Sequence, residues 1–84
     1  MWTREGDAIV ASIEAPDFPA AIAIVGEAAE VAEEMNHHPD IDIRWRTVHF
    51  ALSTHSEGGL TQLDVELAHQ ISQEAARQGA VATT

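Results

Sequence analysis

Residues 41–54 read IDIRWRTVHFALST, and this stretch decides the fold. It is rich in strand-forming residues, but its large apolar side chains change parity partway along. An odd-numbered set gives way to an even-numbered one: Ile41, Ile43 and Trp45, then Val48, Phe50 and Leu52. Because successive side chains of a strand point to opposite faces, one regular strand cannot bury both sets. The pattern predicts two strands joined by a tight turn near Trp45 and Arg46, with a bulge in one strand as the alternative.

The residues before this hairpin predict two strands and a helix. Residues 5–7 offer a turn after a short strand, and residues 9–15 alternate at the period of a second strand. Asp17 is a plausible N-cap, and Pro19 is tolerated in the first helical turn. The apolar residues that follow recur at spacings of three and four: Phe18, Ile22, Val25, Ala29 and Ala32. The helix should end before Pro39, because the residue preceding a proline is disfavoured in the α conformation.

The residues after the hairpin predict a second helix. A polar loop over residues 55–59 is followed by Thr61 and Asp64, spaced as the N-cap and N3 positions of a capping box. An apolar face continues through Leu63, Leu67, Ile71 and Ala75 until Gly79 ends the helix. Residues 79–84 should form a loose tail.

This order predicts a single α+β domain over residues 1–84. It should have two layers in the order β-β-α-β-β-α, with a four-stranded antiparallel sheet and both helices packed on one of its faces. The other face would carry Trp45, His49 and similar residues, and such a face is too apolar to remain fully exposed to solvent. We therefore expect a homo-oligomer, a dimer or a tetramer.

Charge and composition exclude several classes of protein. Four basic residues, all arginine, stand against fourteen acidic ones, so the net charge is −10. A nucleic acid or an anionic membrane is therefore an unsuitable partner. The absence of cysteine excludes disulfides, thiolate metal sites and a cysteine nucleophile. The longest apolar run, residues 20–25, is far too short to span a membrane, and no signal core precedes it, so we expect a cytoplasmic protein.

Histidine is the unusual feature, with five in this short chain. His37 and His38 lie between a predicted helix and strand, and His55 lies at the end of another strand. Imidazole can donate and accept protons near neutral pH, so these positions are candidates for acid–base catalysis. Exposed or helix-capping histidines are the structural alternative. A metal site is disfavoured, because adjacent side chains of an extended segment point apart and no cysteine or H-E-x-x-H spacing supports one.

Two motifs carry a family resemblance. Residues 33–39 read EEMNHHP and residues 54–64 read THSEGGLTQLD, with Trp2, the Asp17-Phe18 pair and Trp45 at matching positions elsewhere. In this combination the chain resembles the pterin-4a-carbinolamine dehydratase family, also known as the dimerisation cofactor of a homeodomain transcription factor. Trp45 stands where that family usually has a tyrosine, so we expect it to serve packing. Family members usually carry a helix before the matching tryptophan. This chain begins one residue before Trp2, so we expect that helix to be absent.

The resemblance implies a hydro-lyase that converts 4a-hydroxytetrahydropterin into quinonoid dihydropterin, in the recycling of a tetrahydrobiopterin-type cofactor. It implies no metal and no organic cofactor. The family histidines match His37, His38 and His55. We expect His37 and His55 to share the acid and base roles, in an order that the sequence leaves open, and His38 to position the pterin. The alternative is a catalytically idle interaction module of the same fold.

Four more residues match family positions near the pterin: Trp2, Glu33, Pro39 and Asp64. Trp2 offers an aromatic stacking face. Glu33 either orients His37 from one turn away or is one more solvated carboxylate. Asp64 is explained by the capping box, and a role at the pocket is compatible with that one.

Overall fold

The chain folds into an antiparallel sheet that is covered on one face by two helices. The computed structural model describes residues 1–83, apart from the side chain of His55. In chain order the elements are β1 (Thr3–Glu5), β2 (Ala8–Glu14), α1 (Phe18–Met35), β3 (Asp40–Arg44), β4 (Thr47–Leu52), a 3₁₀ turn (His55–Glu57), α2 (Gln62–Arg77) and β5 (Val81–Ala82). The predicted α+β class and the β-β-α-β-β-α order are confirmed, with a short fifth strand added.

The hairpin of β3 and β4 confirms the interpretation of residues 41–54 as two strands. Ile41 lies opposite Phe50 and Ile43 lies opposite Val48, so both apolar sets reach the same face of the sheet. Trp45 and Arg46 form the turn, and Trp45 has a left-handed φ of 54°. Trp45 is therefore not part of a sheet face. Its side chain is 72 % exposed, with the Arg46 guanidinium 4.8 Å from its ring centroid.

The strands lie in the order β1-β2-β4-β3, and β5 pairs with β2 beside β1. All pairings are antiparallel. The face away from the helices carries mostly polar residues, including a row in which His49 lies between Ser12 and Asp42. The expectation that this face is too apolar to be exposed to solvent is therefore wrong. Trp45 lies in the turn, and Ser12, His49 and Asp42 make the face polar.

The core lies between the sheet and the two helices. Its largest fully buried side chains are Phe50, Ile13, Ile24, Leu52, Leu67, Ile71, Val48 and Asp64. The buried face of α1 consists mainly of alanine, whereas Phe18 and Ile22, which we expected to face inward, are 48 % and 46 % exposed. Within residues 1–83, neither helix is both long enough and apolar enough to cross a membrane.

The predicted loose tail is wrong for Val81–Ala82, which pair with Ile13 and Glu14 of β2. The N–H of Thr83 also donates to the carbonyl of Ser12 at 3.0 Å. Gly79, with a φ of 75°, ends α2 as predicted and turns the chain back toward β2. Thr84, the last residue of the predicted tail, lies outside the described residues.

Candidate active site

The first half of the site is the end of α1. Asn36 adopts the left-handed conformation there, and its N–H donates to the Glu33 carbonyl at 3.2 Å. The N–H of the next residue, His37, donates to the Ala32 carbonyl at 3.0 Å. These two bonds form a Schellman motif, which reverses the chain over the last turn of a helix. The reversed chain leaves the His37 side chain only 10 % exposed.

The second half of the site is the start of α2, where the predicted capping box is confirmed. The Thr61 hydroxyl accepts a hydrogen bond from the N–H of Leu63, and the Asp64 carboxylate accepts one from the N–H of Thr61 at 2.9 Å. Asp64 is completely buried. The capping box within the first turn of α2 fixes the position of Asp64 independently of its contacts with the rest of the site.

The two halves meet in a buried pair between His37 and Asp64. Nε2 of His37 lies 2.6 Å from Oδ1 of Asp64, a short distance typical of a charge-assisted hydrogen bond. The two residues are 27 positions apart in the sequence. The second oxygen, Oδ2, accepts from the Thr54 hydroxyl at 2.7 Å as well as from the Thr61 N–H. Asp64 is therefore both the capping residue and the partner of His37.

The charge of Asp64 decides where His37 carries its proton. Burial by itself raises the pKa of the Asp64 carboxyl, but the hydrogen bond from His37 opposes burial most strongly. The Thr61 N–H, the Thr54 hydroxyl and the electrostatic interaction with His37 add to that effect, and the pKa lies below its ordinary value of 3.8. Since an ionised carboxylate only accepts hydrogen bonds, Nε2 of His37 donates. In the neutral imidazole Nδ1 is then the basic nitrogen.

His55 begins the 3₁₀ turn that follows β4. Thr54, just before it, exchanges backbone hydrogen bonds with Gly59, at 2.9 Å from Thr54 N and 3.2 Å from Gly59 N. These bonds close the loop, and Thr54 also contacts Asp64. The backbone of His55 is thus placed at the same end of the molecule as His37, while its side chain lies outside the described part of the structure.

His38 points away from His37. Its Nε2 lies 2.9 Å from Oε1 of Glu33, and the two side chains are 59 % and 80 % exposed. The hypothesis that Glu33 orients His37 is therefore wrong, because Asp64 occupies that role and Glu33 contacts the neighbouring histidine instead. Pro39 follows, half-buried, and β3 begins directly after it.

Trp2 lies beside the C-terminal half of α2. Its indole N–H donates to the Ser72 hydroxyl at 2.8 Å, and its ring centroid is 6.4 Å from that of Phe50. No hydrogen bond or ring contact in the described part of the chain joins Trp2 to His37, His38 or Asp64. Sequence reasoning did not foresee Ser72 as its partner.

Thr54 is the site residue that sequence reasoning missed. It stands in the TH pair that opens the second motif, but no rule of spacing assigns a role to a threonine at the end of a strand. The one available signal was its place directly before His55.

The side chains that the structure describes form no group of three His, Cys, Asp or Glu residues arranged to hold a metal ion. A groove of about 520 Å³ lies between the two helices, lined by Val31, Glu34, Met35, Gln62, Val65, Glu66, His69 and Gln70. Its lining contains none of the site residues predicted from the sequence.

Comparison with known proteins gives the same family as the motifs. The model of the family described as pterin 4 alpha carbinolamine dehydratase matches residues 1–74. A relative from Nocardia farcinica is 62 % identical over 72 residues, which cover 86 % of this chain and 76 % of the relative. One from Mycobacterium tuberculosis is 57 % identical over 70 residues, covering 83 % and 74 %. Both carry pterin-4-alpha-carbinolamine dehydratase as a provisional name.

Solved structures agree with the fold. A protein of Brucella melitensis described as a transcriptional coactivator/pterin dehydratase has a TM-score of 0.86 and 34 % identity, and the match covers 88 % of this chain and 81 % of that one. A pterin dehydratase-like RuBisCO assembly factor of the alpha-carboxysome has a TM-score of 0.72 at 16 % identity, covering 89 % and 87 %, and so supports the fold alone. The chain belongs to the pterin 4 alpha carbinolamine dehydratase family.

Proposed function

We propose that this chain is a hydro-lyase that dehydrates 4a-hydroxytetrahydropterin to quinonoid dihydropterin by histidine acid–base catalysis. The observation that carries the proposal is the buried pair of His37 and Asp64, at 2.6 Å, within a chain of this family. A buried carboxylate that fixes one imidazole nitrogen leaves the other nitrogen available for proton transfer. The recycling of a tetrahydrobiopterin-type cofactor is the physiological setting that we propose.

The reaction needs one acid and one base. The bond from ring carbon 4a to the hydroxyl oxygen breaks, the adjacent ring nitrogen loses a proton, and a carbon–nitrogen double bond forms as water leaves. An acid must protonate the departing oxygen, and a base must take the proton from nitrogen. No electrons leave the substrate, so imidazole groups suffice.

His37 and His55 are the two groups to which we assign these steps. Neutral His37 has its basic nitrogen at Nδ1, because the ionised Asp64 accepts from Nε2. His55 follows Thr54, whose hydroxyl is hydrogen-bonded to the same carboxylate. The order of the two roles, acid and base, stays open between these residues.

Pterin binding is assigned to the residues around this pair. His38 is the exposed neighbour of His37, and Glu33 accepts a hydrogen bond from it when the ring nitrogen is protonated. Pro39 and Asp64 complete the set on this side of the molecule, and Trp2 supplies an aromatic face next to Phe50. We propose these five as the substrate-contacting or substrate-positioning residues.

Stopped-flow absorbance of 4a-hydroxytetrahydropterin, generated in situ, tests the proposal. We expect the purified protein to accelerate dehydration, and His37→Ala and His55→Ala each to slow it by about 10²- to 10⁴-fold, the usual contribution of a positioned acid or base. His69→Ala is the matched control, because His69 is exposed on α2 and bonded only to Gln73 in the described part of the chain. Wild-type turnover in His37→Ala would overturn the assignment.

An interaction module of the same fold is the second candidate function, and one observation favours it. Phe18 and Ile22 lie one turn apart on α1 with nearly half of each side chain exposed. Large apolar side chains in such a position are typical of an interface, and we propose a second copy of this chain as the partner. Self-association is compatible with catalysis. If the purified wild-type protein does not turn over the pterin, the interaction role is the only one of the two that remains.

A further inference from the structure

Thr54 lies where the two parts of the site meet. It is the last residue before the loop that starts with His55, and only 6 % of it is exposed. Its hydroxyl donates to Oδ2 of Asp64 at 2.7 Å, and its oxygen lies 2.8 Å from the hydroxyl oxygen of Thr61. A buried hydroxyl with two such short contacts has little freedom to rotate.

The donor count fixes the direction of this hydrogen-bond chain. Asp64 is ionised and can only accept, so Thr54 must donate its single hydroxyl proton to Oδ2. The contact between the two threonines must then use the hydroxyl proton of Thr61, whose oxygen still accepts from the N–H of Leu63 at 3.3 Å. The bonds run from Thr61 to Thr54 to Asp64, and His37 donates to the other oxygen of the same carboxylate.

Backbone hydrogen bonds of Thr54 close the loop that carries His55. The Thr54 carbonyl accepts from the N–H of Glu57 at 3.0 Å and from that of Gly59 at 3.2 Å, and the N–H of Thr54 donates to the Gly59 carbonyl. One residue thus ties the backbone of the loop that carries His55 to the carboxylate that orients His37.

We propose that Thr54 is a positioning residue for the dehydration. Its hydroxyl, donating to Oδ2 of Asp64, fixes the carboxylate so that Oδ1 holds His37 in the Nε2–H tautomer. This inference rests on the proposed function for its effect on turnover, but the tautomer of His37 can be measured without substrate. Thr54 acts through Asp64 and is therefore a positioning residue, not a catalytic one.

The decisive variant is Thr54→Val, which keeps the shape of the side chain and removes its donor. We expect kcat to fall by about 10- to 100-fold, the usual loss when a reacting group is slightly misplaced, with KM nearly unchanged. Thr54→Ser keeps the hydroxyl and should retain most of the wild-type kcat. Thr47→Val is the matched control, since Thr47 is the first residue of β4 and makes no side-chain hydrogen bond in the described structure.

Nitrogen-15 NMR of the imidazole rings gives the readout that is independent of activity. The wild type and Thr54→Ser should show His37 as one tautomer with the proton on Nε2. Thr54→Val should show a mixture, because a carboxylate released by Thr54 can turn away from His37 and then no longer fixes its proton. Carbon-13 NMR of the carboxyls should show the pKa of Asp64 higher in Thr54→Val than in the wild type, because one of the bonds that lower it is lost. Thermal unfolding monitors the fold of each variant.

The possible results separate the two proposals. If Thr54→Val folds with a wild-type kcat and a single His37 tautomer, Thr54 only packs and the inference is overturned. If the wild type has no dehydratase activity but Thr54→Val still mixes the tautomers, the proposed function fails and the positioning role stands. If Thr54→Val does not fold, Thr54→Cys replaces it, since a thiol of similar size is only a weak donor. An unchanged kcat and tautomer in that variant would also overturn the inference.

Discussion

Asp64 is the residue whose chemistry the fold specifies most completely, and Asp64→Asn tests it. The Thr54 hydroxyl and the Thr61 N–H both need an acceptor at the Oδ2 position, so the amide oxygen should turn there. The amide NH₂ then faces Nε2 of His37, which must accept and carry its proton on Nδ1 instead. We expect a folded protein with the wrong tautomer and a rate lower by about 10²- to 10⁴-fold. Single-turnover kinetics and imidazole NMR measure the two effects, and a full rate in this variant would contradict the assigned tautomer.

The lowered pKa of Asp64 also makes the stability of the fold depend on pH. A carboxyl with a folded-state pKa below its unfolded value stabilises the protein above the unfolded value, and this stabilisation disappears as the pH falls through the folded-state pKa. We expect the wild type to exceed Asp64→Asn by about 1.5–3 kcal/mol in unfolding free energy near pH 7, as for hydrogen bonds to a charged group. The difference should shrink as the pH is lowered below about 4. Urea unfolding across this range measures it, and a pH-independent difference would contradict the ionised state.

For single residues, the sequence predicts helix-capping interactions better than it predicts hydrogen bonds between residues far apart in the chain. The capping box of Thr61 and Asp64 was predictable, because its spacing lies within one helical turn. The partner of His37 was not, because Asp64 lies 27 positions away and only the meeting of two helix ends joins them. Glu33 was the nearer carboxylate in sequence, but the left-handed Asn36 turns His37 away from the helix surface on which Glu33 lies.

The end of α1 is the element on which the position of His37 depends. Asn36 has a φ of 52°, which asparagine and glycine tolerate and β-branched residues do not. We expect Asn36→Gly to keep the stability and activity of the wild type. Asn36→Val should lose about 1–2 kcal/mol, the cost of left-handed backbone for an L-residue, together with a fall in kcat as His37 moves. Denaturant unfolding and stopped-flow kinetics check both variants. Equal kcat values in the two variants would show that catalysis does not depend on the conformation of this helix end.

The orientation of α1 shows where periodicity was insufficient. Apolar residues cover more than one side of this helix, so the expected stripe of Phe18, Ile22, Val25, Ala29 and Ala32 was one of two compatible choices. The structure buries Ala32 of that stripe and packs Val25 against the core, but Ala21, Ile24 and Ala28 form the centre of the buried face. Small side chains let the helix axis approach the sheet and the large ring of Phe50, which hydrophobicity alone does not reveal. The β3–β4 hairpin was predictable because a parity change has so few structural solutions, whereas the pairing of β5 depends on tertiary contact alone.

At the scale of the whole molecule, the exposed side of α1 is the surface that a second copy would cover. Gly26 and Ala29 continue the exposed stripe of Phe18 and Ile22, and a Cβ added at Gly26 meets nothing within 4 Å. Glycine lowers helix stability by about 1 kcal/mol relative to alanine, and the chain itself gives no packing reason for it here. Small residues beside large ones allow two helices to approach closely. These features support self-association through α1 rather than through the polar face of the sheet.

Light scattering of the wild type and of Ile22→Glu measures this association. We expect the wild type to form a dimer or a tetramer and Ile22→Glu to be a monomer, since the variant places a charge in the centre of the stripe. Gln73→Glu is the matched control, because it adds the same charge on the exposed side of α2. The net charge of −10 repels each copy from the next, so the oligomer should become more stable as salt screens that repulsion. A monomeric wild type at micromolar concentration and high salt would exclude self-association, whereas an Ile22→Glu oligomer of unchanged mass would place the interface elsewhere.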